Sequence, residues 1–188
     1  MTGPPRPGPA GPGPGPGDGP GPGPVAVLIG PPGAGKTSVG PLLAERLGTS
    51  FRETDADISA AAGQPVSDIF IEQGEPAFRQ LEREAAARAL REHGGVLALG
   101  SGAVLDPDIQ HRLEGLPVIY LAADFATIAR RLGLDRPRVV IPGNPRGRLR
   151  AMLEERRPLY EQLATVTVET DDLDPDELAV EISARLKQ

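Results

Sequence analysis

The chain has 188 residues, a formal net charge of −6 at pH 7 and no cysteine. That length suits one domain with a sizeable core. The negative balance argues against a general nucleic-acid binder, and the absence of thiols excludes disulfide and thiolate chemistry while permitting a cytoplasmic location.

No apolar run approaches the roughly 20 residues of a membrane span. Residues 1–24 hold 10 of the 22 prolines and 9 of the 24 glycines, with Arg6 and Asp18 their only charges. Such a segment cannot bury apolar surface, so it reads as a disordered, dispensable Gly/Pro-rich tail with polyproline II character. It lacks the triplet of collagen and the apolar core of a secretion signal. Residues 25–188 then form the single folded domain.

Val25 to Ile29 is wholly apolar, as a strand covered on both faces should be. It runs into Gly30-Pro31-Pro32-Gly33-Ala34-Gly35-Lys36-Thr37, which fits a phosphate-binding loop. The glycines allow a tight turn whose N–H groups point at an anion, and the helix that follows adds the positive end of its dipole. Lys36 would reach the β- and γ-phosphates, and the Thr37 hydroxyl would ligate Mg²⁺. Lys36 and Lys187 are the only lysines, the other 18 cationic side chains being arginines. A chain so biased towards Arg still places Lys where a compact ammonium fits among phosphates. Gly33, Ala34, Gly35, Lys36, Thr37 and Ser38 are therefore the candidate ATP-binding residues.

The first helix should span Lys36 to Leu47 and stop at Gly48, with Pro41 kinking its second turn. Phe51 to Asp55 reads as a strand ending in acids, with Glu53 and Asp55 on one side. Beside a phosphate loop, one acid can hold the metal's water shell and the other can take a proton from a substrate hydroxyl; a solvated acidic strand end is the plainer alternative. Gly63-Gln64-Pro65 breaks the chain before a short helix, Val66 to Gln73.

Glu75 to His93 is the clearest helix, with Phe78, Leu81, Ala85 and Leu90 on its apolar side. Spacing alone makes Arg79 and Glu82 a surface pair, although Arg79 could instead bind an anion with Glu82 holding it. Gly95 to Leu99 is a third strand leading into Gly100-Ser101-Gly102. A helix over Pro107 to Leu113 and a strand over Val118 to Ala122 follow, then a helix capped by Asp124 and ending near Gly133. His93 and His111 sit at helix ends, where capping or exposure is expected rather than catalysis.

Residues 133–148 are rich in Gly, Pro and Arg and read as an exposed loop carrying Arg136, Arg138, Arg146 and Arg148. Either it is a lid that closes over the transferring phosphate, or it is a solvated basic loop. A long helix continues to about Leu163, with Pro158 expected to kink or end it. The strand Thr165 to Glu169 and a helix opened by Asp174-Pro175-Asp176-Glu177 complete the chain.

Strands alternating with helices imply a three-layer α/β fold with a mainly parallel sheet. Ligands in such sheets sit at the carboxyl ends of the strands. That rule gathers Gly30 to Thr37, Glu53 to Asp57 and Gly100 to Gly102 into one site.

Together these stretches resemble the shikimate kinase family of P-loop small-molecule kinases. The resemblance rests on Gly30 to Thr37, Thr54-Asp55, Asp68-Ile69-Phe70, Gly74-Glu75, Phe78-Arg79, Leu99 to Val104, Arg136-Pro137 and Arg156-Arg157-Pro158-Leu159-Tyr160. It implies a five-stranded P-loop fold with strand order 2-3-1-4-5, helices on both faces and a mobile lid. It further implies transfer of the ATP γ-phosphate to the 3-hydroxyl of shikimate, with Mg²⁺, in aromatic amino acid biosynthesis.

By that resemblance Asp55 is the hydroxyl-binding aspartate and base, Arg79 and Arg156 bind the carboxylate, and Gly102 contacts the substrate. Arg136 is the lid arginine that touches phosphate, Arg131 falls near the adenine-stacking arginine, and Glu53 meets the metal through water. The expected catalytic set is Lys36, Asp55 and Arg136, in a cytoplasmic monomer that binds neither nucleic acid nor membrane. Three positions depart from the family pattern: Glu53 for Asp, Ser101 for the middle glycine of a Gly-Gly-Gly loop, and Arg138 after Arg136-Pro137. Other readings are a P-loop kinase for another small acid or polyol such as gluconate, a catalytically impaired nucleotide-binding module, and a nucleoside-monophosphate kinase.

Overall fold

The computed structural model describes residues 23–135 and 143–187. Nearly all of the expected tail, and the centre of the expected lid or basic loop with Arg136 and Arg138, lie outside the described residues. Among those described, β1 (Ala26–Ile29), β2 (Phe51–Glu53), β3 (Val96–Ala98), β4 (Val118–Ala122) and β5 (Val166–Glu169) form one sheet. The order is β2-β3-β1-β4-β5, as expected, and each neighbouring pair is parallel.

Parallel pairing forces crossover connections, and helices supply them. They are α1 (Lys36–Leu47), α2 (Thr54–Ala62), α3 (Val66–Gln73), α4 (Glu75–Glu92), α5 (Pro107–Leu113), α6 (Phe125–Arg131), α7 (Pro145–Leu163) and α8 (Pro175–Arg185), with a 3-10 turn at Ala103–Leu105. No helix among the described residues is long and apolar enough to cross a membrane.

The continuous apolarity of β1 follows from its place at the centre of three layers. Val27 and Ile29 join Leu97, Val118 and Tyr120 in a core closed by Ala89 of α4, Ile109 of α5 and Tyr160 of α7. Ala26 and Leu28 face the other way, with Ile119, Leu121 and Val168, onto Leu43 of α1 and Ile182 of α8. Burying each of the larger side chains contributes about 1.5–3 kcal/mol.

Several helix ends follow local chemistry. Gly35 (φ 105°) and Gly48 (φ 66°) bracket α1 in the left-handed region. Asp174 accepts the Glu177 amide at 2.8 Å while the Glu177 carboxylate accepts the Asp174 amide at 2.9 Å, a reciprocal cap on α8. Asp124 caps α6 through the Thr127 amide at 2.6 Å.

Three expectations are corrected. The strand at Phe51 stops at Glu53, because Thr54 and Asp55 open α2, where acids in the first turn suit the helix dipole. Glu53 and Asp55 are therefore not alternate positions of one extended strand. Pro158 does not end α7; it lies on the exposed side between buried Arg156 and Tyr160, where the carbonyl left without a donor can turn to water. The loop expected over 133–148 is shorter at its end: Asn144 accepts the Gly147 amide at 2.8 Å and Pro145 opens α7. Of the histidines, His93 is buried with its Nε2 3.0 Å from the Val96 carbonyl, and His111 is exposed beside Glu114.

Candidate active site

The sheet order puts the carboxyl ends of β1, β2 and β3 side by side, and a cavity of about 780 Å³ opens above them. Gly33 to Ser38, Glu53, Asp55, Arg79, Arg131 and Arg156 all line it. Gly102 lies against Arg79 and Glu82 and lines an adjoining cleft instead.

The loop after β1 needs its glycines for space as well as conformation. A Cβ on Gly30 would lie 2.7 Å from the Leu121 carbonyl oxygen, and Gly30, Gly33 and Gly35 all have positive φ. Gly35 offers no side chain to cap α1, so the Lys36 and Thr37 N–H groups remain for an anion in the cavity, the Ser38 amide donating to the Gly35 carbonyl. Lys36 spans the loop, its ammonium donating to the Gly30 carbonyl at 2.7 Å and the Pro31 carbonyl at 3.1 Å. Desolvation lowers its pKa to about 8, against the pull of Asp55, Glu53 and Glu82. A nearby polyphosphate would complete the set of charges this ammonium lacks.

Arg131 ties the loop to the end of the sheet. Its guanidinium donates to the Gly33 carbonyl at 3.1 Å, the Thr170 hydroxyl at 3.0 Å and the Thr170 carbonyl at 2.7 Å. Beside the loop, the Thr37 hydroxyl donates to Glu53 Oε1 at 2.7 Å. No cluster of three or more His, Cys, Asp or Glu side chains among the described residues could hold a metal. A hard cation held here would take Thr37 and Glu53 from the protein and its other oxygens from phosphates and water, the habit of Mg²⁺.

Across the cavity the groups differ in kind. Asp55 is pushed above the usual carboxylate range by desolvation, then by repulsion from Glu82 and Glu53, with Lys36 and Arg79 opposing. Its buried Oδ1 has no partner among the described residues. Glu82 is 2% exposed, so its pair with Arg79 is interior and not the surface pair that spacing suggests. Glu82 Oε2 accepts Arg79 at 2.6 Å, and its Oε1 accepts the Gly102 amide at 3.0 Å. A signal was present in the sequence: Glu82 stands four residues after Phe78 and three before Ala85, on the buried stripe of α4.

Arg156, on α7, is 7% exposed and donates to the Ser101 hydroxyl at 3.3 Å. Ser101 does not strain the loop, since no described residue other than glycine has positive φ. Gly100 and Gly102 are needed for room: a Cβ on Gly100 would lie 2.5 Å from Glu82 Oε1, and one on Gly102 would overlap the Arg79 guanidinium. Thr54, whose role composition gave no hint of, accepts the Gly100 amide at 2.9 Å and joins the ends of β2 and β3.

A family model described as shikimate kinase matches residues 32–187. The chain belongs to the shikimate kinase family. The shikimate kinase of Thermobifida fusca is 55% identical over 162 residues, covering 86% of this chain and 94% of that protein. The shikimate kinase of Salinispora arenicola is 52% identical over the same length, covering 97% of its own chain. Among solved structures, the shikimate kinase from Acinetobacter baumannii in complex with shikimate has a TM-score of 0.79 at 33% identity, with 88% of this chain and 93% of that one covered. Membership fits the parallel sheet order, and it places both Glu53 and Ser101 inside a shikimate kinase fold.

Proposed function

We propose that this chain transfers the γ-phosphoryl group of Mg·ATP to the 3-hydroxyl of shikimate, acting as a cytoplasmic monomer. The observation that carries this reading is one cavity that joins a phosphate loop to a carboxylate oxygen and a buried guanidinium which, among the described residues, have no hydrogen-bond partner and no carboxylate partner respectively. Shikimate offers the complementary groups, hydroxyls for Asp55 and a carboxylate for Arg79 and Arg156.

The first-turn amides of α1 and Lys36 hold the β- and γ-phosphates, and Arg131 fixes the loop that presents them. Thr37, and Glu53 through water, would hold Mg²⁺, which when bound would supply positive charge to the phosphates. Asp55 accepts the hydrogen bond of the 3-hydroxyl and takes its proton as the oxygen attacks the γ-phosphorus. The bond from that phosphorus to the bridging oxygen breaks, and ADP leaves. Arg136 is assigned to the negative charge of the transferring group, and Gly102 keeps Arg79 close to the acceptor.

ADP release by the purified protein with Mg·ATP, using shikimate, gluconate, AMP and no acceptor, tests this. Turnover that depends on shikimate is expected. Gluconate-dependent turnover would replace the substrate, and ATP-induced thermal stabilisation without turnover on any acceptor would leave a nucleotide-binding module.

A further inference from the structure

Arg156 is a buried cation without a carboxylate partner among the described residues. Its Nε has no hydrogen-bond partner there either. An unpaired buried charge is costly, so an anion is its natural complement. Ser101 meets it, its hydroxyl accepting from NH1 at 3.3 Å, and the Tyr160 phenol lies beside it.

The turn that carries Ser101 is anchored at three successive residues. The Gly100 amide donates to Thr54 Oγ1 at 2.9 Å, and the Gly102 amide donates to Glu82 Oε1 at 3.0 Å. Between them, the Ser101 carbonyl accepts the Tyr160 hydroxyl at 2.7 Å. Tyr160 is 1% exposed and stacks on Tyr120 with ring centroids 5.1 Å apart. Its hydroxyl therefore has little freedom to leave, and burial pushes its pKa up to about 12, which keeps it a donor.

Ser101 lines the cavity shared with Lys36 and Asp55. A hydroxyl has one proton and two acceptor sites. Because this one accepts from Arg156, its proton is left to donate into the cavity. We propose that Ser101 is an acceptor-binding residue of this chain: its hydroxyl accepts from Arg156 and donates to the carboxylate of the acceptor. The carboxylate is then met by two guanidinium groups and a hydroxyl, and Arg156 is oriented before it arrives. A glycine here, as in the family pattern, has no side chain for either task. The proposal rests on the reading of the acceptor as shikimate.

The test compares the unmutated chain with Ser101→Ala and Ser101→Gly at saturating Mg·ATP. The acceptors are shikimate and its analogue with hydrogen in place of the carboxylate. For Ser101→Ala, KM for shikimate should rise about tenfold, the worth of one hydrogen bond to a charged group. KM for ATP and the kcat/KM of the carboxylate-free analogue should stay unchanged, and Ser101→Gly should follow the same pattern. Turnover with an unaltered shikimate KM would overturn this proposal alone, as would an equal loss on both acceptors. No shikimate-dependent turnover by the unmutated chain would overturn the functional reading and this proposal together.

Discussion

Glu82 divides its carboxylate between two partners, the Arg79 guanidinium at 2.6 Å and the Gly102 amide at 3.0 Å. Removing one member of a buried ion pair costs about 3–5 kcal/mol, and the partial exposure of Arg79 reduces that. Glu82→Ala should therefore lose about 2 kcal/mol of stability in urea unfolding. In steady-state kinetics it should raise KM for shikimate far more than KM for ATP, because Arg79 loses its orientation. A shikimate KM equal to that of the unmutated chain would contradict the positioning role.

Asp55 sits where its charge is disfavoured, with a buried Oδ1 that has no partner among the described residues. Its pKa is raised, so between the unfolded value and the folded one the native state binds more protons, and stability falls as pH rises through that window. Asp55→Asn removes the penalty. Its melting temperature at pH 7 should exceed that of the unmutated chain, while kcat with shikimate collapses; a lower melting temperature would show that its attraction to Lys36 outweighs the penalty.

For Lys36 the sign is the reverse. Its pKa is lowered to about 8, so above that pH the free enzyme loses the positive charge that phosphate needs. ATP affinity should decline as pH rises through about 8, and binding near pH 8.5 should take up a proton as phosphate charge restores the ammonium. Calorimetry in buffers of different ionisation enthalpy reads this directly. An affinity flat from pH 7 to pH 9.5 would exclude it.

Gly102 needs its missing side chain for space, since its φ of −94° is open to any residue. Gly102→Ala should force the Arg79 guanidinium aside, raising KM for shikimate several-fold without weakening ATP binding. Glycine at Gly48, by contrast, meets nothing within 4 Å and is held by its φ of +66°. Gly48→Ala should cost stability and leave both KM values alone.

The helices legible in the sequence were those whose ends carry local punctuation. α1 lies between two left-handed glycines, and α5 and α8 begin with an Asp cap followed by Pro. The junction at Thr54 was misread because nothing local separates a strand ending in acids from a helix beginning with them. A bond to Gly100, 46 residues away, helps fix Thr54 in place. Pro158 misled for a related reason, since which side of α7 faces solvent is set by Leu153, Arg156 and Tyr160 packing inward. The phosphate loop was readable because its chemistry is contained in eight consecutive residues. The bond of Glu82 to the Gly102 amide, that of Arg156 to Ser101 and the clamp of Arg131 on Thr170 join residues distant in sequence, where local spacing is silent.

The central place of β1 also bears on how the chain is made. Both of its edges are covered by strands that come much later, β3 on one side and β4 on the other. During synthesis Ala26 to Ile29, apolar on both faces, must wait unpaired until Val96 and then Val118 have left the ribosome. Pairings so distant in sequence form slowly, and an open apolar strand is a template for association with other chains. The arrangement that lets the phosphate loop sit amid the other strand ends thus leaves the nascent strand exposed to misassembly while the chain from Gly30 to Val118 is made.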